Sequence, residues 1–170
     1  MSDIHHIGYV VEGDLRDALP GFIMALDTGP FFLIEHLRFD ETTYRGAPAE
    51  YDHSSAFAAT ASGMLVEVSQ VHSASPPELR DLLGRPGFGH VGWLADDLED
   101  ETARLRARGL EPFHTGRTGP ADAVWFDARA TLGHHVEVLR SAPPLLGFYE
   151  SVRAAGAEWD GVTDPIRTRG

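Results

Sequence analysis

The chain of 170 residues contains no cysteine, so it has neither a disulfide framework nor thiolate chemistry to offer. Cations are also scarce: 14 Lys and Arg stand against 26 Asp and Glu, a formal net charge of −12. Such a chain presents no positive field to displace counterions from a phosphate backbone, which excludes nucleic acid and anionic membrane surfaces as partners. Long apolar runs are missing as well. The longest dense stretch, Phe31-Phe32-Leu33-Ile34, is far too short to cross a bilayer. The start, Met1-Ser2-Asp3, lacks the charged and apolar regions of a secretory leader, and a cytoplasmic location is expected by default. What is present is 42% hydrophobic content, normal for a globular core, in a length suited to one domain or to two half-domains sharing a sheet.

Against that background one pattern is written twice. His6-Ile7-Gly8-Tyr9-Val10-Val11 recurs as His90-Val91-Gly92-Trp93-Leu94-Ala95, and Gly63-Met64-Leu65-Val66-Glu67-Val68 recurs as Gly133-His134-His135-Val136-Glu137-Val138. Each half places one histidine and one glutamate on strand-like segments. Two His and two Glu together satisfy a divalent metal, so the repeat becomes a statement about chemistry.

The rest of the chain follows the repeat. Residues 4–11 read as a strand, broken at Glu12-Gly13-Asp14 and followed by a helix capped near Asp14, with Leu15, Leu19, Phe22, Ile23 and Leu26 at helical spacing. Pro20 predicts that this helix is short, kinked or restarted, and Gly29-Pro30 ends it. Residues 31–39 read as a second strand and 40–52 as a long, substrate-contacting loop; residues 54–60 and 64–71 form a hairpin about Ala61-Ser62-Gly63. The best boundary falls at 73–77. A short helix near 77–83 then leads into a strand at 88–95, a helix at 96–108 with Gly109 as its C-cap, and strands at 110–115, 123–127 and 134–140. Each half reads βαβββ. The expected division is 1–74, 75–141 and a C-terminal segment 142–170, with an outside helix over 143–155 and a polar arm beyond Trp159.

Strand alternation decides which residues share a face. Ile7, Tyr9 and Val11 form the bulkier apolar set, suited to packing under a helix, which turns His6 to the opposite side. The same count places His90 with Phe88 and Leu94, Glu67 with Leu65 and Ser69, and Glu137 with His135 and Leu139. Taken singly, a His or a Glu on a strand is ordinary sheet chemistry. Repeated at matching positions of two modules, the four residues line one concave surface, while His5 and His134 point away unless the register slips.

These residues resemble the vicinal oxygen chelate proteins, which include glyoxalase I, methylmalonyl-CoA epimerase, extradiol dioxygenases, and fosfomycin and bleomycin resistance proteins. The likeness covers most of residues 4–139 and is carried by His6-Ile7-Gly8, Val66-Glu67-Val68, His90-Val91-Gly92 with Asp96-Asp97-Leu98, and Val136-Glu137-Val138. It implies an α+β fold in which paired βαβββ modules form a curved, cup-like mixed sheet with helices outside. It also implies one divalent ion (Zn, Ni, Co, Mn or Fe) on His6, Glu67, His90 and Glu137, the ligand pattern of the lyase and isomerase branch.

Four protein ligands leave two neighbouring octahedral positions for substrate oxygens, a geometry suited to stabilising the enolate left by removal of a proton beside a carbonyl. Glu67 or Glu137 is the candidate catalytic carboxylate. One departure bears on the reaction. The epimerase carries a second glutamate on the strand preceding the Glu67-type strand, whereas Ser54-Ser55-Ala56-Phe57-Ala58 holds no carboxylate here. Glu35, or Glu50, Tyr51 and His53 in the long loop, are the candidates to compensate, and His135 is expected to contact substrate. The apolar residues expected on the cavity face (Ile4, Val10, Leu65, Phe88, Leu94 and Leu139) suggest a small apolar or aromatic organic substrate, and the cup closes within one chain or across a homodimer. The rival readings are an Fe(II) ring-cleaving dioxygenase and a non-enzymatic binding or resistance protein on the same cup.

Overall fold

In the computed structural model, residues 3–118 and 121–169 are described; the polar start at Met1 and Ser2 and the end of the tail at Gly170 lie outside them. The chain runs β1 (His6–Val10), α1 (Leu15–Leu26), β2 (Phe31–Arg38), β3 (Glu41–Tyr44), β4 (Ala47–Pro48), β5 (Glu50–Ala59), β6 (Leu65–Ser75) and α2 (Pro77–Leu83). It continues through β7 (Gly87–Ala95), α3 (Leu98–Arg106), β8 (Pro112–Thr118), β9 (Ala121–Phe126), α4 (Arg129–Leu132), β10 (His135–Arg140), α5 (Pro143–Glu158) and β11 (Ile166–Arg169). All eleven strands join one curled sheet in the order β11-β2-β5-β6-β1-β7-β10-β9-β8-β3-β4.

The centre of that sheet is symmetric. β1 runs parallel to β6, β7 runs parallel to β10, and β1 and β7 meet antiparallel, so the two His-x-Gly strands lie side by side. The inward valines behave as alternation requires. Val66 and Val68 pack with Leu15 and Leu19 of α1, and Val136 and Val138 pack with Leu98 and Leu105 of α3. Each of these fully buried leucines stabilises the fold by about 2 kcal/mol. Asp14 and Asp97 cap the two helices, accepting from the Arg16 and Asp100 amides at 2.8 and 2.9 Å.

Four features differ from the expectations. α1 continues through Pro20 as one 12-residue helix, with Pro20 and Arg16, whose carbonyl proline leaves without its helical donor, both on the exposed face. The expected loop at 40–52 is largely strand: Arg45 and Gly46, at φ 50° and 81°, turn β3 into β4, and β3 pairs with β8 of the other half. The polar arm beyond Trp159 includes β11, which pairs with β2 in parallel. Finally α5, beyond packing as a C-terminal helix, sends Leu145, Tyr149 and Val152 into the apolar cluster that contains Phe57, Leu65, Trp125 and Leu139.

Candidate metal centre

The two histidine strands create the centre by occupying each other's empty space. The His6 ring lies over Gly92 and the His90 ring over Gly8; a Cβ built on Gly92 would stand 1.9 Å from His6 Cε1, and one on Gly8 2.0 Å from His90 Cε1. This crossing explains the glycine two residues after each histidine. It leaves His6 Nε2 and His90 Nε2 only 3.2 Å apart.

Both glutamates arrive at the same point. Glu137 Oε2 lies 2.7 Å from His6 Nε2 and 3.3 Å from His90 Nε2, while Glu67 Oε2 lies 3.4 Å from His90 Nε2 and 4.0 Å from His6 Nε2. One donor atom from each of the four residues falls within 4.8 Å of all the others. Glu67 is further fastened: the Ser55 and Ser69 hydroxyls donate to its Oε1 at 2.7 and 3.1 Å, leaving Oε2 aimed at the histidines.

Two buried carboxylates this close to one another require positive charge between them. Within the protein alone a proton provides it. Burial acts to pull the His90 pKa down, but the hydrogen bonds that its ring donates to Glu137 and Glu67 outweigh it and push the group up to about 10. Burial likewise works against ionisation of the two glutamates, yet their histidine partners hold both below the usual carboxylate range. Two imidazole nitrogens and two carboxylate oxygens around one point are a donor set that fits a first-row divalent cation. A second gathering, His36, Asp52 and His72, lies on the more exposed side of the sheet, where Arg38 also holds Asp52 at 3.1 Å.

Glu67, His90 and Glu137 of the cluster line a cavity of about 370 Å³, with His6 buried behind them, and its walls are mostly apolar and aromatic, including Ile34, Leu37, Phe39, Phe57, Trp125 and Phe148. His53 and His135 line it too, both buried, and desolvation lowers the pKa of each. His53 stacks on Tyr51, with ring centroids 4.5 Å apart, and its Nδ1 has no hydrogen-bond partner among the described residues. His135 Nε2 reaches the Leu82 carbonyl at 3.2 Å.

Other predicted contacts fall elsewhere. Glu35 is not at the cavity: its carboxylate is half-exposed and pairs with Arg16 at 3.3 Å. A register shift between Ile34 and Leu37, with His36 at φ 51°, assigns the cavity side of β2 to those two residues. Glu50 is exposed at the start of β5. Phe88 is corrected as well. A bulge where Gly8 faces His90 but Tyr9 faces Phe88 leaves Gly89 extra, and Phe88 turns to pack against Tyr9 and His134. Ile4 and Leu94 line a separate hollow with His5 and Arg153. Val10 and Leu139 line the cavity as expected, and Leu65 is buried in the adjoining cluster.

Sequence reasoning missed Ser55 as the anchor of Glu67, and also His114. The latter is fully buried between Tyr51 and Trp125, and desolvation lowers its pKa to about 4. Pairing of Ser55 with Ser69 across β5 and β6 is the signal that identifies the anchor, and it requires the strand register. Among the described residues no helix is long and apolar enough to cross a membrane.

Comparison with known proteins is consistent with this architecture. A crystal structure of methylmalonyl-CoA epimerase from Mycobacterium tuberculosis is 17% identical, with 85% of this chain and 91% of that chain covered at a TM-score of 0.51. A variant of Streptomyces coelicolor methylmalonyl-CoA epimerase in complex with 2-nitronate-propionyl-CoA is 14% identical, with 84% and 96% covered at a TM-score of 0.47. At these identities the likeness is one of fold. No curated protein matches the sequence. The family model described as Glyoxalase/Bleomycin resistance protein/Dioxygenase superfamily matches residues 5–126, across both histidine strands and the first glutamate, and the chain belongs to that superfamily.

Proposed function

We propose that the protein is a divalent-metal-dependent lyase or isomerase of the glyoxalase and epimerase type, acting on a small carbonyl or thioester substrate through an enolate. The observation that carries this reading is the convergence of His6, Glu67, His90 and Glu137 within 4.8 Å of one another, with the last three lining a mostly apolar cavity. A divalent ion held by these four residues would supply Lewis acidity toward the substrate oxygen.

The remaining work belongs to the chain. Glu67 is a fixed ligand because Ser55 and Ser69 grip its far oxygen. Glu137 is contacted by the two histidines and has no serine hydroxyl on it, so it is the carboxylate positioned to leave its station and carry the proton. Phe39, Trp125 and Phe148 exclude water from the exchanging position, and the neutral imidazoles of His53 and His135 orient the substrate's polar groups. A set of two histidines and two carboxylates favours this chemistry over ring cleavage by Fe(II), which uses two histidines and one carboxylate and keeps positions open for oxygen.

The test is solvent deuterium exchange by metal-reconstituted protein into 2-oxo acids, hemithioacetals and acyl thioesters, the last class included because a methylmalonyl-CoA epimerase has a similar fold. Incorporation at the carbon beside the carbonyl is expected. Stoichiometric metal with no exchange in any class, or iron with oxygen uptake on catechols, overturns the reading.

A further inference from the structure

We infer that the cavity takes a compact organic acid, whose carboxylate is held at the open side by Arg169 and Arg85 while its apolar body runs inward toward the four-residue cluster. The inference deepens the proposed function and rests on it for which end of the substrate reacts.

The C-terminal strand carries the argument. In its parallel register Ile166 lies beside Phe31, Arg167 beside Phe32, Thr168 beside Leu33 and Arg169 beside Ile34. Ile166, Phe31 and Leu33 belong to the cluster under α1, and the Thr168 hydroxyl accepts from Arg16 at 2.8 Å. Alternation therefore turns Arg167 and Arg169 to the cavity side with Phe32 and Ile34. Arg167 is engaged, 3.6 Å from Asp164 and over the Phe32 ring.

Arg169 is different. Its guanidinium rests 5.0 Å from the Phe148 ring centroid, lines the cavity and forms no ion pair among the described residues. Arg85, in the turn after α2, also lines the cavity and is likewise without an ion pair. Two guanidiniums without ion pairs on one mostly apolar cavity, in a chain of net charge −12, mark where an anion gains most. Both are exposed whereas Glu67 and Glu137, which line the same cavity, are buried, so the cations stand on its solvent side and the carboxylates on its buried side. Its volume of about 370 Å³ lies at the small end of the roughly 300–1,000 Å³ range of ligand cavities, which suits a compact acid.

The test is calorimetric titration of metal-free protein with 4-oxo-4-phenylbutanoate, its primary amide and acetyl-CoA. The acid is expected to bind about tenfold tighter than the amide, since one charge-assisted pair distinguishes them. Arg169→Gln and Arg85→Gln should each erode that preference, and the double variant should abolish it without weakening the amide. Equal binding of acid and amide, no binding of either, or a preference that survives the double variant overturns the inference. So does acetyl-CoA binding tighter than the acid through Arg169, because the anion held would then be a phosphate. A metal titration of the same proteins keeps the two readings apart. Failure to bind metal with the acid preference intact defeats the proposed function alone, and normal metal binding with no acid preference defeats the arginine assignment alone.

Discussion

The two halves of the sheet supply the same pair of side-chain types, one histidine and one glutamate, but hold them differently. In the first half Phe57 lies beside Glu67 and Ser55 beside Ser69; at the corresponding places of the second half Trp125 lies beside Glu137 and Ala123 beside Leu139. A pair of hydroxyls in one half is thus a pair of hydrocarbon side chains in the other. The histidines differ in the same sense, His6 having a side chain 1% exposed and His90 one 13% exposed. The repeated pattern brings the four side chains to matching positions, and the strand next to each glutamate sets what surrounds it. Under the proposed function the first half clamps its carboxylate and the second half supplies the one that moves.

The largest effects should come from breaking the crossing itself. Gly8→Ala should expel the His90 ring and Gly92→Ala the His6 ring, so each substitution disables the histidine of the opposite half. Metal binding by calorimetry is expected to vanish in both variants while circular dichroism retains the sheet. Gly147→Ala, which meets no atom within 4 Å, should change neither. Next in size, Glu137→Gln at saturating metal should slow deuterium exchange by roughly 10²–10⁴-fold, the usual worth of a positioned proton-transfer group. Glu67→Gln should act mainly on metal affinity, and equal losses of exchange in the two variants would erase the distinction between clamp and base.

Smaller still, Ser55→Ala should weaken metal binding by about 10–100-fold, as loss of an outer partner does, with turnover restored at high metal concentration. The mildest signature is a proton count. Because the carboxylates hold the His90 pKa at about 10, the metal-free protein carries that proton at pH 7, and a cation must displace it. Titrations in buffers of different ionisation enthalpy should show proton release on binding, and affinity should rise with pH up to about 10. Binding without release at pH 7 would mean that His90 is not a ligand.

Much of this was legible in the chain because strand alternation is a local rule. The parity of His6, Glu67, His90 and Glu137 needs only a few neighbouring residues to read, and so does the burial of Val66, Val68, Val136 and Val138. What escaped depended on partners distant in sequence. β3 is a strand only because β8 offers it an edge, and its Thr42 and Thr43 look like loop residues without that edge. β11 is a strand only because β2 has an open side. Phe88 was misplaced by a single extra residue at Gly89, since a bulge resets parity without leaving a clear mark in composition. Glu35 was offered to the cavity for its chemistry, and the irregularity between Ile34 and Leu37 placed it elsewhere.

The pairing of β3 with β8 has a consequence for the order in which the molecule assembles. Glu41 emerges from a ribosome long before Arg117, its partner in the register, so the first module cannot finish its own sheet when its own residues are complete. Residues 41–48 must wait, and they lock in place only after the second module has raised its edge. Pulse-labelled hydrogen exchange during refolding should find the Arg45 amide, which donates to the Phe113 carbonyl at 2.8 Å, protected no earlier than those of β8. The strap that reaches across the cup is the last stitch, tying residues early in the chain to the far edge of the sheet.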